Sequence, residues 1–310
     1  MKTRRSYLIQ AAVLAALGLA AVASLVLPQV FRGRRDPQLL SLSVMLRDTD
    51  SSGWTVARQG MEQAADELGA ELRFLTLTSA NDSAEQESLL LREADSGAAA
   101  LVAVPADPAA LSAALEPWRV ICPTVTLESP MEGAAGTVAP DNALLGRRLA
   151  EALLEDLTAG EVLLLDTARP GTGVAARLEA AEAVLTEAGV PVRRAEALPE
   201  DEGPAWVMAF EPSATQRAAE EKEAEGRGFA LYGVGTATAI TAQLERGSTQ
   251  AMAAWSDYAA GYLAVRRAVG AARGEEGTVS PLPFSILRGE DIYAPENQKL
   301  LFPVMSSSSR

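Results

Sequence analysis

A chain of 310 residues is long enough for about two ordinary domains, and a composition 48% hydrophobic and 22% charged belongs to a compact globular body. Its formal net charge of -14 opposes attachment to nucleic acid or anionic headgroups, which are themselves negative. There is no histidine, which removes imidazole catalysis, imidazole metal ligation and the serine triad in its usual form.

Lys2, Arg4 and Arg5 precede an uncharged run from Tyr7 to Phe31, interrupted only by Gln10, Ser24 and Gln29. About 25 residues at 1.5 Å each suffice for the roughly 30 Å of bilayer hydrocarbon. Ala21-Val22-Ala23 offers a small-x-small cleavage site, yet Leu25-Val26-Leu27 carries the apolar run beyond it, and no cysteine follows for lipid attachment. Residues 1–36 are therefore expected to be an uncleaved, single-pass transmembrane signal anchor. Arg32, Arg34 and Arg35 on its far side nearly balance the basic residues on its near side, so charge orients it poorly.

From Leu39 onward, short runs rich in Val, Leu and Ile alternate with longer stretches at helical spacing, the mark of parallel sheets covered by helices. Strands are predicted at Leu40–Leu46, Glu71–Leu77, Ala98–Val104, Thr124–Leu127, Glu161–Asp166, Trp206–Phe210, Phe229–Val234, Gln250–Trp255 and Pro283–Leu287. A first helix from near Trp54 places Ala57, Met61, Ala64, Ala65 and Leu68 on one face and stops at Gly69. A second spans Ala143–Leu157 with Asp141 or Asn142 as its cap and Gly160 as its close, and a third spans Val174–Ala188 and stops at Gly189. Val-Ile-Cys-Pro places Cys122, the lone cysteine, as a small core residue with no disulfide partner. Only Arg193–Ala205, with two prolines and Gly203, separates Val192 from Trp206, where parallel neighbours need about a dozen residues, usually helical, to connect. Gly171-Thr172-Gly173 lacks the Lys-Ser/Thr of a phosphate loop. No nucleophile stands beside a base, so no catalytic residue is assigned, and neither metal nor cofactor is expected.

Four segments carry a resemblance. They are Gly60-Met61-Glu62-Gln63-Ala64-Ala65-Asp66-Glu67-Leu68-Gly69-Ala70, Val104-Pro105-Ala106-Asp107, Val125-Thr126-Leu127-Glu128, and Asp141-Asn142 with Gly146 five residues after Asp141. In this order and spacing the chain resembles the type I periplasmic solute-binding proteins of the ribose and xylose kind. That family implies a two-lobed α/β fold, each lobe a parallel sheet sandwiched by helices, here preceded by one transmembrane helix. The implied N-lobe is 39–138 with 257–279, the C-lobe is 139–256 with 280–304, and 305–310 is a disordered tail.

Ligands of such sheets sit at the carboxyl ends of the strands, where loops lead into helices. The first loop offers Asp48 and Ser52, and the resemblance adds Trp54 as an aromatic platform with Arg58 one turn later. Asp107 and Glu128 follow the third and fourth strands, and Asp141 and Asn142 open the second lobe. Asp107 and Asp141 are equally well explained as helix caps, and Trp54 also fits packing between lobes. The family's arginine after Gly171-Thr172-Gly173 aligns with Glu179 or, with a shift, Arg177. Glu211-Pro212 stands for an Asn-Asp pair, Gly235 for an aspartate and Trp255 for an amide. These losses point to a ligand less polar than ribose, or to a decayed site. The layout is similar to anchored xylose-type proteins that serve sensor histidine kinases. An extracytoplasmic, membrane-held receptor of a small ligand, a carbohydrate or something less polar, is therefore expected, partnered by such a kinase or by the permease of an ABC transporter.

Overall fold

The computed structural model describes residues 39–49, 52–200, 204–235 and 238–301. The expected anchor and the tail from 305 lie outside the described residues, among which no helix is long and apolar enough to cross a membrane.

Two sheets organise the body. The first takes β1 (Leu40–Met45), β2 (Ala70–Leu75), β3 (Ala100–Ala103), β4 (Thr124–Leu127) and β5 (Gly136–Val138) in the order β2-β1-β3-β4-β5, all parallel. Helices α1 (Thr55–Leu68), α2 (Ser83–Asp95) and α3 (Pro108–Leu115) connect its strands. Leu42, Val44, Leu101 and Val102 in its central strands are wholly shielded; β3 accordingly reads as an unbroken apolar run, while β1 alternates with Ser41 and with Ser43, which is buried and donates to Glu93 Oε2 at 2.8 Å. Cys122, just before β4, is buried beside Leu111 and Leu115.

The second sheet takes β6 (Val162–Leu165), β7 (Val192–Ala195), β8 (Trp206–Ala209), β9 (Ala230–Val234), β10 (Ala251–Trp255) and β11 (Phe284–Leu287) in the order β11-β10-β9-β8-β6-β7. Every pairing is parallel except β11 on β10, so the all-parallel sheet expected from sequence needs that correction. Its helices are α4 (Asn142–Asp156), α5 (Gly173–Glu187), α6 (Pro212–Glu225) and α7 (Thr238–Glu245). Helix α8 (Asp257–Ala272) returns to pack on α1 and the first sheet, and α9 (Pro295–Leu301) closes the described chain. Between β7 and β8 the described residues hold no helix. That connection is instead tied down by Arg227, which donates to the Pro199 carbonyl at 2.6 Å.

The chain passes between the lobes three times: from β5 into α4, from β10 into α8, and from α8 into β11. The first and third passages lie side by side, with Pro140 bridged to Leu282 and the Leu282 N–H donating to the Ala139 carbonyl at 2.9 Å. Asp82, Asp107, Asp141, Thr172 and Ser256 cap the helices that follow them, each accepting from an N–H of the first turn. Gly69 ends α1 at φ 67°, a conformation that glycine reaches without strain. Gly160 does not close α4, whose cap is the extended Leu157.

Candidate functional site

The parallel strands of both sheets direct their carboxyl ends at the space between the lobes. Arg47 follows β1, Glu128 follows β4, and Glu211 follows β8, while Arg177 projects from the second turn of α5. These four residues form one buried ionic cluster. Arg47 Nε donates to Glu128 Oε2 at 3.1 Å, its Nη1 to Asn81 Oδ1 at 3.1 Å, and its Nη2 to Glu211 Oε2 at 2.7 Å. Arg177 Nε donates to Asn142 Oδ1 at 2.7 Å, and its Nη1 reaches the Phe210 carbonyl at 2.9 Å and Glu128 Oε1 at 3.3 Å. The guanidinium of Arg177 also lies 5.0 Å from the centre of the Trp255 ring, at the end of β10.

Local backbone geometry aims these groups. Glu128 adopts φ 64°, and the Ser129 N–H closes onto the Leu127 carbonyl at 2.6 Å, a γ-turn of the strained, positive-φ kind. The Glu128 carbonyl accepts from Asn142 Nδ2 at 2.8 Å. Gly173 permits the second lobe to close on this turn, because a Cβ there would stand well under 3.0 Å from the Glu128 carbonyl oxygen. Asn81, also at positive φ, donates its N–H to the Arg47 carbonyl at 2.7 Å, so Arg47 is held at its backbone and at its guanidinium.

Two of these ion pairs join the lobes, Arg47 with Glu211 and Glu128 with Arg177. The space between Arg47, Asn81 and Ala106 on one side and Thr167, Ala168, Arg169, Thr172 and Val174 on the other is about 10 Å³. That is room for about one water and far below the roughly 300–1,000 Å³ of a small-molecule pocket.

Residues 42–276 match the family described as periplasmic binding protein domain, which is more than half of the 310-residue chain. The chain belongs to that family. No curated protein matches it. Among solved structures, an ABC transporter solute-binding protein from Agrobacterium vitis with bound D-fucose is similar at TM-score 0.74 and 16% identity, over 84% of this chain and 100% of that one. The periplasmic component of an ABC-type sugar transport system from Hahella chejuensis is similar at TM-score 0.73 and 22% identity, over 80% and 99%. The XylFII–LytSN complex is similar at TM-score 0.69 and 16% identity, over 82% and 100%. At these identities the likeness is one of fold.

In this binding protein Glu128, Asn142, Glu211 and Trp255 meet in the cluster, whereas other residues singled out by sequence lie elsewhere. Glu179 is exposed on α5, and the alternative alignment, Arg177, is the residue that turns inward, because two positions along a helix rotate a side chain by more than half a turn. Arg58 is exposed, pairs with Glu62 and stacks 4.1 Å over Phe74, on the side of α1 that faces the edge strand β2. Asp107 and Asp141 serve as caps, Asp107 for α3 and Asp141 for α4. Trp54 is half-buried and donates from Nε1 to Asp48 Oδ2 at 2.7 Å, and Ser52 opens the short helical turn before α1. Sequence reasoning does not single out Arg47 or Asn81. Their signal is position alone, since both stand in loops that follow strands β1 and β2.

Burial, the largest influence on Glu128, pushes its carboxyl up, but the charges and hydrogen bonds of Arg47 and Arg177 outweigh it and hold the group below the ordinary carboxylate value. Burial likewise pulls the Arg177 guanidinium below its usual value in spite of Glu128. A depressed carboxyl contributes stability that is complete above its unfolded value of about 4.3 and is lost as pH falls through the lower folded value. Urea unfolding from about pH 7 to about pH 3 is therefore expected to show wild-type stability falling below about pH 4. The fall should be shallower in Glu128→Gln, and equal slopes would remove Glu128 as its source.

Proposed function

We propose that the chain is a membrane-tethered extracytoplasmic binding protein that closes on a small ligand, sugar-like or less polar, and presents its closed form to a membrane sensor partner. The observation that carries this reading is the meeting of guanidinium, carboxylate and amide groups beside an indole face, between two lobes and at the carboxyl ends of their strands. Such groups pair with hydroxyls in both donor and acceptor roles, while an aromatic face covers C–H surface. The Agrobacterium vitis relative in fold, which holds D-fucose, supports the ligand class. The XylFII–LytSN complex, an assembly of a relative in fold with a second protein, supports the partner. The uncharged run from Tyr7 to Phe31 supports the tether. Membership of a family of binding proteins supports a binding role over an enzymatic one.

The neighbours from ABC transporters favour a second reading, in which the same closure feeds a permease. Thermal unfolding of the full chain in detergent against pentoses, hexoses and polyols tests the ligand reading, because a ligand of the folded state alone raises the melting temperature. At least one compound should do so, and the shift should vanish in Trp255→Ala. No shift across the panel would sink it. Membrane fractions that lack the protein after high-salt washing would sink the tether.

A further inference from the structure

We propose that Arg47 is a built-in occupant of the cleft: its guanidinium clasps the mouth of the cleft shut through Glu211, and an entering ligand has to displace it. The inference rests on the reading of this cleft as the ligand site only in naming what Arg47 competes with.

Four observations support it. First, Arg47 makes the kind of contacts a ligand would make: one donor to each of Glu128, Asn81 and Glu211, with only 12% of its side chain exposed. Second, the charges cancel. Two guanidinium groups face two carboxylates, and each oxygen of Glu128 is taken by a different arginine, while Arg177 Nη2 alone of the cluster's guanidinium nitrogens lies buried without a hydrogen-bond partner. Third, Glu211 stands at the N-cap position of α6 yet makes no cap hydrogen bond, its carboxylate being given to Arg47 in the opposite lobe. Fourth, the space that remains beside Arg47 is about 10 Å³, so with its side chain in place the cleft has no room for a small molecule.

The two ion pairs that join the lobes play different parts. Glu128 sits beside the first passage, its N–H donating to the Val138 carbonyl at 3.1 Å and its carbonyl accepting from Asn142. Its pair with Arg177 therefore lies close to the hinge. Arg47 and Glu211 follow strands that lead into the cleft from opposite lobes, so closure brings them together and opening parts them. A ligand that inserts between them takes over both charges, which is where competition enters.

The test is an inter-lobe distance measured by pulsed electron spin resonance on the full chain in detergent, without added ligand. Spin labels go on Ala113→Cys and Ser213→Cys, both exposed and in opposite lobes, in a Cys122→Ala background. The expected result is one short distance in this parent and a second, longer population in Glu211→Gln and in Arg47→Met, each with an unchanged circular dichroism spectrum. A parent that already shows the longer distance, or two variants that both keep the single short one, would overturn the proposal. The outcome is separable from the ligand reading. Variants that open while no compound of the panel shifts the melting temperature leave the clasp standing without a sugar. A compound that shifts the melting temperature while both variants stay closed does the reverse.

Discussion

Replacing Arg177 with Ala lowers the melting temperature of the protein by on the order of 10 °C, the expected result of removing one partner from a buried ion pair. Arg177 is wholly buried, and its loss strips Glu128 of one of two compensating charges and leaves Asn142 and the Phe210 carbonyl without their donor. Breaking a buried pair in this way costs about 3–5 kcal/mol, because the remaining charge stays out of water without its counterion. For a body of this size, about 2–4 °C of melting temperature follows each kcal/mol. Arg177→Lys separates geometry from charge: lysine keeps the charge but cannot donate to Asn142, Phe210 and Glu128 in one plane, so it should recover only part of the loss. Differential scanning calorimetry gives both values. An Arg177→Ala protein that melts within a degree or two of wild type would show that the cluster is incidental to stability.

Arg177 also marks where sequence reasoning reaches its limit. The segment Gly171-Thr172-Gly173 locates the start of α5, but the register of inward and outward positions along the helix depends on how α5 lies against α4, which is a tertiary fact. The choice between Glu179 and Arg177 is therefore decided by packing alone. Glu211 and Trp255 show the same limit in another form. Taken singly, each reads as the loss of a ligand-binding group, whereas in the structure Glu211 receives Arg47 and Trp255 underlies Arg177. Strands are legible where burial on both faces makes them apolar, as in Val162–Leu165. Strand β5, three residues with a glycine, and the edge strand β7, with Arg193 and Arg194 exposed, carry no such signal. Capping residues are legible because a cap is a local interaction. Arg47 is not, because its three partners lie 34, 81 and 164 positions away.

The glycines of the helix contacts predict the second large effect. Gly261→Ala in α8 should destabilise the protein by about 1–3 kcal/mol or more, the range for forcing extra volume into a packed interior. A Cβ at Gly261 would stand well under 3.0 Å from the Ala57 carbonyl oxygen, and one at Gly60 would crowd the Tyr258 carbonyl oxygen in the same way. Helices α1 and α8 thus meet through two glycines that let each backbone approach the other, and no rotamer change relieves a clash with a carbonyl. Gly146 repeats the arrangement in the second lobe, where a Cβ would overlap the Arg177 carbonyl oxygen. This gives the two substitutions different consequences. Gly261→Ala strains the first lobe only, so its cost should be the same with Arg47 and Glu211 intact or removed. Gly146→Ala pushes on the backbone that carries Arg177, so its cost should shrink when Glu128 is already Gln, a coupling that a double-mutant cycle measures directly. Gly228→Ala is the control: nothing lies within 4 Å of the added methyl, and the change should stay within about 0.5 kcal/mol of wild type. Equal costs for Gly228→Ala and Gly261→Ala would refute close helix approach as the reason for glycine at these positions, and an uncoupled Gly146→Ala would separate helix packing from the ionic cluster.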